Sequence, residues 1–484
     1  MRKPNSPAHV FENIEITDIS TEGKGIGRVP GGDKSIVCFI DFAIPGDVVD
    51  IQITKKKSNL REGKVLAYKK FSDKRTEPVC KHFGTCGGCK WQNMKYEAQL
   101  EFKQKYVWDA LTRIGNIPLS LEKGTKGELM PIIPSKKYFH YRNKLEFTFS
   151  NKRWLTNEDF KTLNIGEDMG SAAYGLGFHI PKLFDKVLDI EECHLQEDPS
   201  NAIRMEVRKF SIENNLTFFD IRRQNGFLRN LIIRSTSTGQ WMAVVVFFYE
   251  DKPARESLLK HIAEKFPQIT SLQYVINSKK NDSIFDQEVK TFSGADSIYE
   301  TMEGLKFRIS PKSFFQTNSL QAYELYKATS DFAELKGDEI VYDLYTGTGT
   351  IANFVAGRAK EVIGIEYIPV AIEDAKVNSQ INNISNTSFF SGDIKEVLSN
   401  GFIADHGKPD VIITDPPRAG MQEDVVRKIL EINPEKIIYV SCNPATQARD
   451  IALMNERYFT EKVQPIDMFP HTAHVESVAK LVRK

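Results

Sequence analysis

Cys442 follows the apolar run Ile437-Ile438-Tyr439-Val440 and precedes Asn443-Pro444, which places it where a buried strand stops and a helix opens. Open α/β sheets hold their ligands at such strand ends, and a thiol there is either a nucleophile or a buried structural cysteine. The preceding run, Val411 to Thr414, ends in Asp415-Pro416-Pro417-Arg418. An acid and a thiol at neighbouring strand tips suit methylation of a carbon rather than a nitrogen. Carbon 5 of uracil is a poor nucleophile, but a thiolate that adds to carbon 6 creates an enolate whose carbon 5 can attack an electrophilic methyl group. A base must then take the carbon 5 proton before elimination frees the sulfur. These steps ask for a thiol with a lowered pKa and a separate base. The segment Phe469-Pro470-His471-Thr472-Ala473-His474-Val475-Glu476 offers one: Glu476 is the expected base, and His471 and His474 are alternatives or ordinary loop histidines.

The methyl donor has its own candidate residues. Asp343-Leu344-Tyr345-Thr346-Gly347-Thr348-Gly349 reads as a strand followed by a glycine turn that opens a helix. Dinucleotide enzymes share that logic, but these glycines lack their spacing and nothing is arranged for a pyrophosphate. S-adenosylmethionine is therefore the expected ligand. Glu366, ending the next strand, is placed to hold ribose hydroxyls, and Asp393, after the third, lies toward the adenine. The alternative for both acids is a helix N-cap or first-turn acid.

A third cluster is sulfur. Of six cysteines, Cys80, Cys86 and Cys89 fall within ten residues, separated by five and then two positions. Gly84, Gly87 and Gly88 let the backbone wrap a metal and aim amides at sulfur. Cys193 in Ile190-Glu191-Glu192-Cys193-His194 is the best fourth ligand, because Cys38 lies in a barrel strand and Cys442 is otherwise employed. Zinc, with His82 or His194, competes with an iron–sulfur cluster. The spacing is not that of radical enzymes, so the site reads as structural.

The elements that must position these groups fall into three expected units. At 484 residues, with 41% hydrophobic and 27% charged residues and a net charge of +1, the chain reads as a soluble multidomain protein whose overall charge names no partner. No apolar run approaches a membrane span and the N-terminus lacks a signal-peptide core, so a cytoplasmic location, without a membrane partner, is expected. Residues 1–71 form an OB-like β-barrel in five short strands with glycine-rich turns, Pro30-Gly31-Gly32 among them. OB-like barrels bind single-stranded nucleic acids. Gln52 to Arg75 carries nine Lys/Arg against two acids, a patch suited to phosphates. Residues 72–310 form a β-rich central domain with an amphipathic helix over 91–114, Tyr96, Leu100, Val107, Leu111 and Ile114 on one face. Hairpins are expected at Leu228–Arg234 with Trp241–Tyr249, and at Leu272–Asn277 with Ile284–Phe292. Aromatics beside Arg142 and Lys144 can stack bases or simply fill a core. Residues 311–484 alternate strand and helix, a Rossmann-like α/β domain with right-handed crossovers, closed by a hairpin of Val463–Phe469 and Glu476–Val482.

Taken together, the chain resembles the RNA uridine-5-methyltransferase family, in its 23S ribosomal RNA branch with a TRAM domain and an iron–sulfur cluster. The pieces that carry the resemblance are Gly23-Lys24-Gly25-Ile26-Gly27-Arg28 and Ile44-Pro45-Gly46-Asp47 of the barrel, the three-cysteine segment, and Gly177-Phe178-His179 through Glu192-Cys193-His194. Phe315-Gln316-Thr317-Asn318, Asp343 to Thr350, Asp415 to Gly420, Ser441 to Asp450 and His471 to Glu476 complete them. The resemblance implies a [4Fe–4S] cluster on Cys80, Cys86, Cys89 and Cys193. It implies S-adenosyl-L-methionine held by Gln316, Tyr345, Thr350, Glu366, Asp393 and Asp415, with Cys442 as nucleophile and Glu476 as base. Gln316 enters only this way; its residues alone read as a loop. Thr346 stands where the family often has Cys. The implied partner is RNA, 23S ribosomal RNA foremost, acted on by a monomer. Transfer RNA is the alternative substrate, and a non-catalytic iron–sulfur RNA-binding protein the alternative class.

Overall fold

The computed structural model describes residues 9–31, 34–156, 159–162 and 170–484. Residues 1–8 of the expected barrel unit, and Gly32 of its Pro30-Gly31-Gly32 turn, lie outside these. Six strands, not five, build the N-terminal sheet: β1 (Val10–Glu15), β2 (Asp18–Ile19), β3 (Gly25–Pro30), β4 (Ser35–Ile40), β5 (Val48–Lys57) and β6 (Leu60–Lys70), in the order β1-β5-β6-β4-β3-β2. Their alternate residues Ile14, Ile16, Val29, Cys38, Ile40, Val49 and Ile51 fill its core. The basic stretch divides. Arg75 is spent on the barrel itself, bonding Asp47 through Nε at 2.8 Å and Nη2 at 2.6 Å with its guanidinium over Tyr68. Lys55 and Lys69 pair with Glu62 and Asp50, and Lys74 with Glu101. Lys56, Lys57, Lys64 and Lys70 are exposed and make no ion pair among the described residues.

The amphipathic helix begins five residues later than expected, as α1 (Tyr96–Arg113), because Trp91–Met94 form a buried turn. Tyr96, Val107 and Leu111 are buried, but Ile114 is 53% exposed, and the helix buries Gln99 and Lys103 as well. Lys103 is buried against Asp467, Nζ to Oδ1 2.5 Å. Stranding one charge of such a pair typically costs about 3–5 kcal/mol, so the amphipathic pattern hides a fixed point of the fold.

The central sheet is β8 (Lys144–Ser150), β9 (Gly175–Ile180), β10 (Leu183–Asp189), β11 (Leu228–Ser235), β12 (Trp241–Phe247), β13 (Ile269–Ile276) and β14 (Val289–Gly294), ordered β10-β9-β8-β11-β12-β13-β14. The first expected hairpin is β11–β12; in the second, the partner strand starts at Val289 rather than Ile284. Besides the short α2 (Asp159–Thr162), two unexpected helices, α3 (Ser200–Glu213) and α4 (Lys252–Lys265), pack Ile203, Val207, Leu258, Leu259 and Ile262 on one face. β12 runs parallel to β13, with α4 as crossover. The other face, with Ile232, Met242, Val244 and Val246, packs on the catalytic domain. Burial on both faces makes Met242–Phe247 a continuous apolar run. A small hairpin, β15 (Ile298–Met302) with β16 (Leu305–Ile309), precedes the last unit.

That unit comprises α5 (Ser319–Ala333), β17 (Ile340–Leu344), α6 (Thr350–Ala356), β18 (Glu361–Glu366), α7 (Pro369–Ile381), β19 (Thr387–Ser391), α8 (Ile394–Val397), α9 (Asn400–His406), β20 (Val411–Thr414), α10 (Glu423–Ile432), β21 (Lys436–Ser441), α11 (Pro444–Met454), β22 (Tyr458–Ile466) and β23 (Glu476–Arg483). The sheet runs β19-β18-β17-β20-β21-β23-β22, parallel through β21, with β22–β23 as the antiparallel closing hairpin. Its edge is extended by β7 (Glu128–Leu129), paired to β22. Val107 and Leu111 of α1 share a core with Tyr439 and Ile451 of this unit. Residues 96–113 and 128–129, placed by sequence in the 72–310 unit, therefore pack with the C-terminal sheet. Among the described residues no helix is long and apolar enough to cross a membrane.

Candidate active site

Local chemistry explains why Cys442 stands at a tip. β21 is buried through Ser441, Asn443 caps α11 by accepting from Ala445 N–H at 3.1 Å, and Pro444 takes the first helical turn. The β21–β23 ladder ends at the Ser441–Ser477 pair, so Cys442, which follows β21, and Glu476, which begins β23, lie at the same end of it. Asp415 leaves β20 beside them. The loop after it is tied to the thiol's own helix, since the Arg418 carbonyl accepts from Asn443 Nδ2 at 3.0 Å and Thr446 Oγ1 at 3.3 Å. Tyr106 of α1 reaches Asn443 Oδ1 at 3.3 Å.

The electrostatics differ from the expectation. Burial pushes the Cys442 thiol up to about 11, the Glu476 and Asp415 carboxylates add to the rise, and Arg418 opposes it. Burial and then Asp415 raise Glu476 well above the usual carboxylate range, with Arg418 again opposing. Asp415 is pushed up to about 7 by burial and by Asp343. Burial first, and the two carboxyls second, thus disfavour the thiolate, against the pull of one arginine. Alkylation of Cys442 in the free enzyme should accordingly be slow at pH 7, where only about one thiol in 10⁴ is thiolate, and should rise about tenfold per pH unit up to pH 10. A pH series of iodoacetamide labelling, read by mass spectrometry, checks this; a rate at pH 7 matching or exceeding that of an ordinary free thiol would contradict it.

Neither histidine is placed as a base. His471 is buried with a left-handed φ of 65°, its N–H donates to Gln99 Oε1 at 2.8 Å, and burial first and Lys103 second hold its imidazole down to about 4. His474 is solvent-exposed, yet desolvation among surrounding atoms and the charges of Arg418, Lys103 and Arg142 hold it down to about 4 too.

The residues expected around the donor gather at the adjoining tips. Tyr345 has a left-handed φ of 62° at the end of β17, a strained conformation of the kind that clusters at functional sites. Gly347, φ 56°, faces open space: a Cβ there would meet nothing within 4 Å. Glu366 accepts from Gly347 N–H at 3.2 Å and Ile368 N–H at 3.0 Å. Thr350 opens α6, its hydroxyl 3.2 Å from that of Thr348. Gln316 is half-buried in a loop laid over the glycine turn, where Thr348 Oγ1 donates to the Phe314 carbonyl at 3.4 Å and Asn143 Nδ2 to the Gln316 carbonyl at 2.9 Å. Asp393 caps α8 through Lys395 N–H at 3.2 Å, so the alternative reading of this acid is realised, at a strand end all the same. Sequence reasoning passed over Asp343, fully buried with its Oδ2 held by Thr346 Oγ1 at 2.5 Å and its carboxyl pushed up to about 7 by burial. It also gave Arg418 no role. Their adjacency to the glycine turn and to Asp415-Pro416-Pro417 was the available signal. Asp343 and Asp415, carboxyls raised by burial at an open cradle, fit a cationic ligand such as a sulfonium, whose charge would favour their ionised forms.

Cys80, Cys86, Cys89 and Cys193 line one cavity of about 850 Å³. Gly88 N–H points at Cys86 Sγ (3.4 Å) and Gln92 Nε2 at Cys89 Sγ (3.2 Å). Backbone amides of His82 and Phe83 serve Cys80, and that of Leu195 serves Cys193. Among the described residues no three His, Cys, Asp or Glu converge closely enough to hold one metal ion.

A parallel α/β sheet whose tips bring together a glycine turn, an open cradle, buried acids and a thiol is that of an S-adenosylmethionine-dependent methyltransferase. The chain belongs to the uracil-5-methyltransferases: the family described as tRNA (uracil-5-)-methyltransferase matches residues 235–484, and the TRAM domain matches 12–66. It is 54% identical to an uncharacterized RNA methyltransferase of Porphyromonas gingivalis over 97% of this chain and 99% of the other. A second, from Bacteroides thetaiotaomicron, is 53% identical over 96% of this chain and 99% of the other. Among solved structures, Pyrococcus abyssi tRNA (uracil-54, C5)-methyltransferase in complex with S-adenosyl-L-homocysteine matches with a TM-score of 0.73 and 28% identity, covering 98% of this chain and 100% of that one. The protein is therefore an RNA uracil-5-methyltransferase that uses S-adenosylmethionine.

Proposed function

We propose that this enzyme methylates carbon 5 of a uridine in 23S ribosomal RNA, through covalent addition of Cys442 to carbon 6. The observation that carries the chemistry is that Cys442, the residue after β21, and Glu476, the first residue of β23, flank the Ser441–Ser477 pair that ends the ladder, near enough for the Glu476 carboxylate to act on the thiol. S-adenosylmethionine, bound at Gln316, Tyr345, Thr350, Glu366, Asp393 and Asp415, supplies the electrophilic methyl group. As the Cys442 sulfur adds, its proton leaves to a flanking carboxylate, which a raised pKa equips to hold it. Arg418 balances the charge that develops on the pyrimidine oxygen. Glu476, reacting in its ionised form, takes the proton from the methylated carbon 5; the carbon–sulfur bond breaks, the sulfur recovers its proton from the flanking carboxyl that held it, and Glu476 gives the carbon 5 proton to solvent. One proton is released per methyl transferred. The target must be single-stranded or flipped from its stack for carbon 6 to be reached.

What supports ribosomal RNA is the resemblance of the barrel and the four-cysteine set to that branch. Transfer RNA is the second reading, favoured by the description of the matching family and by the substrate of the Pyrococcus abyssi enzyme. Mapping 5-methyluridine in both RNAs, from cytoplasm of cells with and without the protein, tests the choice. Loss from 23S ribosomal RNA alone is expected; loss from transfer RNA alone would establish the second reading.

The four cysteines fit a [4Fe–4S] cluster better than a single zinc ion. A cubane binds four thiolates on four different irons and so wants them spaced apart, with amides directed at sulfur, as the Cys86 and Cys89 contacts are. Anaerobically purified protein should be brown and hold about four irons. Cys193→Ser should lose them and Cys38→Ser, far off in the barrel core, should not; stoichiometric zinc without iron would defeat the assignment.

A further inference from the structure

Nine residues, Asp467 to Val475, link β22 to β23 and deliver Glu476. The Glu476 carboxylate accepts no hydrogen bond among the described residues, so its aim depends on the chain that leads into it. α5 holds the start of that loop, through Asn318 Nδ2 on the Met468 carbonyl (2.9 Å) and Gln321 Nε2 on the Asp467 carbonyl (2.9 Å). Its middle is held from outside the C-terminal unit. The His471 carbonyl accepts from Lys90 N–H at 2.7 Å and Trp91 N–H at 3.0 Å, directly after Cys89. The His471 N–H donates to Gln99 Oε1 at 2.8 Å. Gln99, fully buried in α1, also donates through Nε2 to the carbonyls of Trp91 (3.0 Å) and Met94 (2.9 Å). The Trp91 indole reaches the barrel, donating to the Gly23 carbonyl at 3.0 Å. A left-handed non-glycine such as His471 persists only where its surroundings over-determine it, and here the Gln99 carboxamide does so.

We propose that Gln99 is a positioning residue for methyl transfer: by clamping the His471 peptide to α1 and to the cysteine segment, it fixes the loop that aims Glu476 at carbon 5. The inference rests on the covalent reading above. It predicts a defect confined to the last step, proton removal, with addition and methyl transfer intact.

Two substrates separate the steps. On RNA carrying 5-fluorouridine at the target there is no carbon 5 proton to remove, so the methylated adduct is trapped whatever the base does. On ordinary RNA the adduct persists only if the base is misplaced. Gln99→Met keeps length and burial without the polar atoms; Gln99→Glu keeps an oxygen for the His471 N–H. Gln99→Met should trap 5-fluorouridine RNA to wild-type amplitude, turn over ordinary RNA about 10²-fold more slowly, the scale of a 1 Å misplacement, and accumulate methylated adduct on it in denaturing gels. Gln99→Glu, which keeps the acceptor for the His471 N–H but loses the donor to the Trp91 and Met94 carbonyls, should turn over faster than Gln99→Met and slower than wild type. Unchanged turnover in Gln99→Met, or parallel loss of trapping and turnover, would overturn the inference alone. Failure of the wild type to trap 5-fluorouridine RNA would overturn the covalent reading, and this inference with it.

Discussion

Cys442→Ala should lose methyl transfer by at least about 10⁴-fold, the scale seen when a covalent nucleophile is removed, and should form no adduct with RNA. The residue sits at the β21 tip, half-buried, where the Glu476 carboxylate acts on it. Among the described residues its side chain makes none of the hydrogen bonds that hold that tip: Asn443 caps α11 and ties down Arg418 without it. The variant should therefore fold, and S-adenosylmethionine should still bind, because Glu366, Gly347 and Asp343 lie at other tips. Isothermal titration for the donor and gel-shifted adduct for RNA separate the two functions. Residual methylation above 1% of wild type would refute covalent catalysis, since carbon 5 of an unmodified uracil has no other route to nucleophilicity in this pocket.

Glu476→Gln should behave differently. The amide matches the carboxyl in shape and leaves the β23 register untouched. Sulfur addition and methyl transfer proceed, but the carbon 5 proton stays, so a methylated RNA–protein adduct should accumulate and survive denaturation. Turnover should fall about 10²- to 10⁴-fold, the usual contribution of a general base. Glu476 and Asp415 also raise the Cys442 thiol, so removing one carboxyl should lower that thiol's pKa and speed its alkylation at pH 7. Normal turnover in Glu476→Gln would leave the nucleophile in place and move the base role elsewhere. His471 is then a poor heir, since its backbone is clamped and burial makes its imidazole only weakly basic. His474, at the solvent edge, would be the residue to test next.

Much of the catalytic sheet was legible because its signals are local. A buried parallel strand is a short apolar run, its tip is marked by the first polar residue, and Pro444 or Pro369 announces the helix that follows. Val411–Thr414 needed no neighbour to be read, and the same rules carried Cys442, Glu366 and Asp415 to strand ends. The glycine turn after Asp343 likewise declares itself, since Gly347 and Gly349 both take left-handed φ values.

Three features were beyond that reach, for one reason: each depends on partners far apart in sequence. α3 and α4 carry few apolar residues, enough to cover a sheet face but too few to stand out in a region rich in strands. The thiol's pKa was misjudged because proximity of Glu476 and Asp415 to Cys442, and the burial that dominates it, arise only when β20, β21 and β23 lie side by side. Gln99 and Lys103 looked like the polar side of an amphipathic helix. Their burial is tolerable only because the peptide of His471 and the carboxylate of Asp467, more than 360 positions along the chain, meet them there. Residue types and spacing determined which chemistry the chain can attempt and on which strand tips it sits. The tertiary structure alone decided the protonation of those groups and what holds the loop that leads into Glu476, because desolvation and hydrogen bonding are properties of neighbours in space.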